Sequence, residues 1–255
     1  MKMSNIAVIT SSIGKESNLL EQGYNNSADF YAFTDSSKLN ENNSWEKIQC
    51  IPYISDGYFK NRINAKIFKI LPFIFLPEYE YFIWIDSNLI LKQDPKILVD
   101  EYLNQHDMAL MKHSKRECVY DEAKEVIIQK LDYSKNIKNQ YKYYKFEKYP
   151  KKNGLYDCSF RIQRNTDEIK KMSVMWWSHI IKFSSRDQIS LPFVLNNLKV
   201  SPKEINFEKN IFEQKFKNNT NRKVKTQKQD YFTIKVRFLR RVSLLKKYIV
   251  NIKKP

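Results

Sequence analysis

Asp86, Ser87 and Asn88 stand in a row directly after the apolar run Tyr81-Phe82-Ile83-Trp84-Ile85. A carboxylate and a carboxamide at positions i and i+2 offer oxygen donors to one hard cation, Mg²⁺ or Mn²⁺. A cation held there would clamp a diphosphate. Just upstream, Arg62 and Lys66 lie four residues apart in a stretch of helical periodicity, so they share a helix face and can neutralise a diphosphate leaving group. Asp35, which closes the second apolar run, can accept hydrogen bonds from a nucleoside base or ribose. In the segment SSRDQIS, residues 184–190, Asp187 suits orienting an acceptor hydroxyl or acting as a base, and Arg186 suits a carboxylate or phosphate. His113 ends the apolar segment MALMKH, where it can touch sugar or metal. Each residue also has a plainer reading. Asp86 and Asn88 can satisfy a strand-to-turn junction, Arg62 and Lys66 a solvated face, Asp35 a turn. Ser185 and Gln188 fit a capping box, and His113 a solvated position.

These residues need elements to position them. Buried strands are expected at residues 5–10, 29–34, 45–51 and 81–85, with others in HDMALMKH and CSFRIQR. The spacing of Ile63, Ile67, Ile70 and Leu71 predicts a helix over Arg62–Leu71. Further helices are expected after Asp94-Pro95, through RECVYDEAKEVIIQKL, from Thr166 to Phe183 and near Ser185. Residues 134–153, dominated by Lys, Tyr and Asn, read as a long surface loop. Strands alternating with helices predict a layered α/β fold with a largely parallel sheet. Ligands of such sheets bind beyond the carboxyl ends of the strands, which accounts for a charge at Asp86.

The composition limits the alternatives. A chain of 255 residues with 42% hydrophobic and 14% aromatic content can bury a sizeable core. Four glycines argue against a Gly-rich phosphate loop. No apolar run approaches the about 18 residues that span a bilayer, and the first residues lack a secretory hydrophobic stretch. Three cysteines without CxxC spacing point to a reduced, cytoplasmic protein without structural zinc. The net charge of +17 is uneven, because residues 221–255 carry twelve Lys or Arg against one acid, Asp230. This divides the chain into a domain over 1–215 and a basic, helical C-terminal tail over 216–255. In the tail, Ile234, Phe238, Val242, Leu245 and Ile249 form one stripe with Arg237, Arg240, Arg241 and Lys247 off it. Such a helix suits an anionic membrane surface and a peripheral location at the inner face of the cytoplasmic membrane. Packing of that stripe on the domain is the plainer alternative. Basicity of this degree also raises nucleic-acid binding, but no helix-turn-helix, zinc-finger or RNP pattern is present and the charge lies outside the core.

Taken in order, VITSSIG, FYAFTD, RINAKIFKILP, YFIWIDSNLILKQDP, MKHSKRECVYDEA and SSRDQIS resemble the TOD/MUCI-type glycosyltransferase-like family, over about residues 5–195. That family occurs in plants and in bacterial surface-polysaccharide loci. The resemblance implies a GT-A fold, a single Rossmann-like α/β/α domain. It implies transfer of a sugar from a nucleotide-sugar donor to a cell-surface glycan, a capsule or lipid-linked polysaccharide. By similarity, Thr10 and Asp35 face the nucleoside, Arg62 and Lys66 the diphosphate, Asp86 and Asn88 a Mn²⁺ or Mg²⁺ ion, and Arg186 and Asp187 the reacting sugar and acceptor. Two features depart from the pattern: Asn88 is a neutral third member of the acidic motif, and no histidine follows His179. A catalytically inactive subunit that keeps the GT-A shape is the second reading.

Overall fold

A computed structural model describes residues 4–14, 19–23, 26–36, 44–206 and 211–214. The expected tail and the domain boundary at 215/216 lie outside the described residues. The first half of the chain supplies β1 (Ile6–Ser12), β2 (Asp29–Thr34), β3 (Glu46–Gln49), α1 (Lys60–Ile70), β4 (Tyr81–Ile85), β5 (Leu89–Leu91) and α2 (Pro95–Tyr102). The second half supplies β6 (Met108–Lys112), α3 (Val119–Ile128), α4 (Ser134–Phe146), β7 (Tyr156–Arg164), α5 (Asp167–Lys182), α6 (Asp187–Leu198), β8 (Lys203–Ile205) and β9 (Phe212–Gln214). The architecture is α/β, as the alternation of elements predicts.

Seven strands form the central sheet in the order β3-β2-β1-β4-β7-β6-β8. All neighbours run parallel except β7, which is antiparallel to both β4 and β6. The β4–β7 ladder, from Tyr81↔Arg164 to Ile85↔Phe160, is therefore the seam joining the sheet of the first half to that of the second. Because β7 is reversed, its first residues reach the edge where the parallel strands end. The register shifts between Leu110 and Met111 at that edge, and such irregularities commonly re-aim side chains beside sites. On the remaining pair, β5 and β9 form a small antiparallel ribbon.

Helices cover both faces, so the sheet strands read as nearly continuous apolar runs. Ile70, Val126, Tyr144, Trp176 and Phe193 share one buried cluster from α1, α3, α4, α5 and α6. Leu98, Val99 and Tyr102 of α2 pack with Val8, Ile83 and Ile162 on the opposite face. Local chemistry sets the helix starts. Asp94 accepts from Lys96 N–H at 2.8 Å ahead of Pro95, and Thr166 accepts from Ile169 N–H at 3.4 Å, as capping requires.

The surface loop expected over 134–153 is a correction. Residues 134–146 form α4, whose Ile137, Gln140 and Tyr144 are buried. These positions recur at three and four residues, a helical stripe that the density of lysines and tyrosines conceals. Tyr144 stacks on Phe193 at 4.0 Å between ring centroids, so packing rather than composition decides this segment.

Candidate active site

The quoted charges gather where α1 and α6 meet the end of β4. Lys66 Nζ lies 2.5 Å and Lys69 Nζ 2.9 Å from the same oxygen, Asp187 Oδ2. Lys69 Nζ is also 3.5 Å from Asp86 Oδ1, which accepts from Trp84 Nε1 at 2.8 Å. One ammonium group thus bridges two carboxylates that are far apart in the chain. Asp187, Lys66 and Lys69 are all but closed to solvent, whereas the Asp86 side chain is 43% exposed. Burial pushes the Asp187 carboxyl up, but the neighbouring Lys66 and Lys69 outweigh it and hold the group well below the usual carboxylate range. Burial pulls Lys66 down to about 8, against the attraction of Asp187. The same burial acts on Lys69, but Asp187 and Asp86 together raise it. A carboxylate held this firmly by two cations is a weak base, so its surroundings suit Asp187 to positioning rather than to proton abstraction.

Arg161 of β7 lies behind this cluster and is 1% exposed. Its Nη2 donates to the carbonyl of Lys69 and its guanidinium sits 5.0 Å from the Trp176 ring. It therefore fastens the last turn of α1, whose carbonyls lack partners within the helix, against the sheet. Burial lowers Arg161 to about 10.

The other expected site residues fall in several places. Arg62 shares the α1 face but turns away from the lysines: its Nη1 donates to Leu131 O at 2.6 Å and Ser185 Oγ at 3.3 Å. It braces the α3–α4 turn and the entry to α6. The Ser185/Gln188 capping box is a correction. Residue Arg186 occupies the cap without a side-chain cap bond. The Ser185 backbone N–H and hydroxyl both donate to Asp132 Oδ2, and Gln188 Oε1 accepts from Arg186 Nη2 at 2.9 Å. Asp132, distant in sequence, outcompetes the local cap.

Thr10, expected to face a nucleoside, has no exposed surface in β1, and its Oγ1 is buried without a hydrogen-bond partner among the described residues. It sits mid-strand, below the edge. Asp35 does reach the edge, accepting from Gly14 N–H at 2.8 and 3.1 Å. Gly14 has φ +70°, and a Cβ there would fall 1.7 Å from Asn61 Nδ2, so a side chain at this position would have to displace Asn61 and hold a left-handed backbone. Asn88 lies in the turn closed by Leu89 N–H donating to Asp86 O at 2.9 Å. His113 follows β6, and its Nδ1 accepts from Lys115 N–H and Arg116 N–H, both at 3.1 Å. Nearby Glu122 accepts from Arg116 Nε at 2.6 Å and lies 3.7 Å from Arg186 Nη2. Lys69 and Arg161 escape the sequence reading, although Lys69 has a visible signal: it is three residues from Lys66 on the same helix.

Among the described residues, no three His, Cys, Asp or Glu side chains gather as a metal-binding group. Asp86 remains compatible with an ion of the Mg²⁺ type, which takes one or two carboxylates and completes its shell with water and substrate phosphate. Its half-open side chain at the strand end meets that requirement.

A family model described as TOD1/MUCI70, glycosyltransferase-like domain, matches residues 26–227. The chain is also 28% identical over 159 residues to the probable hexosyltransferase MUCI70 of Arabidopsis thaliana. That match covers 58% of this chain and 26% of the relative, so the chain spans about a quarter of the relative's length. The chain belongs to the TOD1/MUCI70 glycosyltransferase-like family.

Proposed function

From that membership, we propose that the chain transfers a hexose from a nucleotide-sugar donor to a glycan acceptor. The observation that carries this reading is the bridge Asp86–Lys69–Asp187 beside Lys66, at the sheet edge where α/β folds bind ligands. Sugar transfer asks little covalent chemistry of a protein. It asks for neutralisation of the departing diphosphate and for orientation of the attacking hydroxyl. Lys66 supplies positive charge on the diphosphate side. Asp187 holds Lys66 and Lys69 in place, and its short reach fixes the start of α6 against α1. Arg186, at the cap of that helix, faces the reacting sugar and acceptor. Asp35 binds the nucleoside from the neighbouring loop.

In this reading Asp86, helped by Asn88, would hold a Mn²⁺ or Mg²⁺ ion, which would supply charge neutralisation at the diphosphate. The acceptor belongs to a cell-surface glycan, a capsule or a lipid-linked polysaccharide. The basic tail holds the protein at the inner face of the cytoplasmic membrane. A thermal-shift screen of nucleoside diphosphates and nucleotide sugars, with and without Mn²⁺, tests the proposal. Stabilisation by at least one nucleoside diphosphate is expected, since a ligand that binds only the folded state raises stability. No shift with any nucleotide would favour an inactive subunit that keeps only the family fold.

A further inference from the structure

The loop after β6, the 152 turn and the end of β8 enclose a cleft of about 880 Å³. This volume falls within the roughly 300–1,000 Å³ typical of small-molecule sites. It lies on the β6/β8 side of the sheet, away from the Gly14–Asp35 loop pair at β1 and β2. We propose that this cleft binds an anionic group, a carboxylate or a phosphate, carried by the acceptor. The anion site is argued from the cleft itself; that its ligand is an acceptor rests on the glycosyltransferase reading.

The charges lining the cleft favour an anion once internal pairs are removed. Lys112 pairs with Glu117 at 3.4 Å, and Asp121 pairs with Lys124 at 3.0 Å. Arg116 is taken by the buried Glu122, which Arg186 also approaches. Lys115 and Lys152 line the same cleft, are exposed, and have no anionic partner among the described residues. Against these two ammonium groups stands Glu204, which likewise has no ion-pair partner there. One positive charge is left uncompensated in the cleft, and a further one is shared at its wall, where two arginines approach a single glutamate.

His113 adds a neutral ring N–H. Its Nδ1 accepts two backbone N–H groups, so the ring proton sits on Nε2. Nε2 lies 3.9 Å from Glu122 Oε2, beyond hydrogen-bond range, and the His113 side chain is 9% exposed. Burial lowers the affinity of this ring for a second proton, so His113 lines the cleft as a neutral imidazole, with Nε2 on the Glu122 side, while the lysines supply charge. Lys152 is held at φ +54° in the turn before Gly154. Among the described residues no aromatic ring lines the cleft. Lys115 and Lys152 beside a neutral ring N–H suit an oxyanion better than an uncharged sugar face.

Isothermal titration calorimetry on the full chain at low ionic strength tests this. The probes are a hexuronic-acid oligosaccharide, inorganic phosphate and a neutral oligohexose of equal length. The variants are Lys115→Ala/Lys152→Ala and a control, Lys135→Ala/Lys171→Ala, which removes two exposed lysines elsewhere. At least one anionic probe should bind, and the cleft variant should weaken it by about tenfold or more, as loss of charged hydrogen bonds does. The control should leave it unchanged. Binding of the uronate alone identifies a sugar carboxylate as the source, and binding of phosphate alone a phosphate. Equal weakening in both variants, equal affinity for the neutral probe, or no binding of either anion would overturn the proposal. A nucleoside diphosphate titrated into the same samples separates the two readings. If no nucleotide binds the wild type, the donor reading fails while the cleft result still stands or falls by the anions.

Discussion

Asp187→Asn keeps the shape of the side chain and removes the one charge that two buried ammonium groups share. In the wild type those groups lie 2.5 and 2.9 Å from Asp187 Oδ2, and Asp86 alone, at 3.5 Å from Lys69, remains as counter-charge after the substitution. Removing one partner of a buried pair costs about 3–5 kcal/mol. For a domain of this size that corresponds to a fall in Tm of about 6–20 °C. The effect should depend on pH in a defined sense. Without Asp187 the folded-state pKa of Lys66 drops further below its unfolded value of about 10.4. The unfolded state then binds more protons, so stability rises with pH. Thermal melts followed by circular dichroism at pH 7 and pH 9.5 should therefore show a large gap from wild type that narrows at the higher pH. A variant that melts within about 2 °C of wild type at pH 7, or a gap that widens with pH, would refute the ion-pair cluster.

Other expectations follow from neighbouring residues. Asp86→Ala should abolish sugar transfer and lower Tm by less than Asp187→Asn, because the side chain is half open although it accepts from Trp84 and faces Lys69; wild-type turnover would remove Asp86 from the site. Thr10→Val should stabilise by about 1 kcal/mol, since it deletes a buried hydroxyl with no partner, and should leave nucleoside diphosphate affinity unaltered in calorimetry. Asp187, held below its ordinary value of 3.8, contributes stability that is present above that pH and lost as pH falls through the folded value. Urea midpoints should therefore fall steeply below pH 3.8 in the wild type and less so in Asp187→Asn. Full-length protein should sediment with anionic vesicles at low salt and a chain ending near Lys225 should not; equal sedimentation of both would remove the tail from membrane attachment.

Much of the fold was legible because its signals are local. Residues 29–34 read as a strand from their apolar run and turn boundaries, and Asp94-Pro95 and Thr166 announce helix starts by their own chemistry. The segment 134–146 was not, because its stripe of Ile137, Gln140 and Tyr144 is interrupted by polar side chains and becomes apolar only against Phe193. At the site, the carboxylates and Lys66 stood out by residue type and spacing. What could not be read was partnership. Nothing near Ser185 in the sequence points to Asp132, fifty-three residues away, and nothing near Lys69 points to Asp187. Arg161 lies in an apolar strand where an arginine carries no motif, and its buried charge meets the end of α1 and the Trp176 ring, neither of which is near it in sequence.

The reversed strand β7 has a consequence for how this protein comes into being. Every contact among β1, β2, β3 and β4 can form from residues 6–85, whereas β6, β7 and β8 draw on residues 108–205. The sheets of the two halves join through the five-rung β4–β7 ladder, and the bridging lysine and its partner Asp187 are 118 residues apart. Closing so long a loop is entropically slow, so the site is among the last parts to assemble during synthesis. An emerging chain holds Asp86 and both lysines well before Asp187 leaves the ribosome. The nascent N-terminal half thus carries Lys66 without its Asp187 partner and Lys69 with Asp86 alone, so the ion pairs of the site are complete only when the second half arrives.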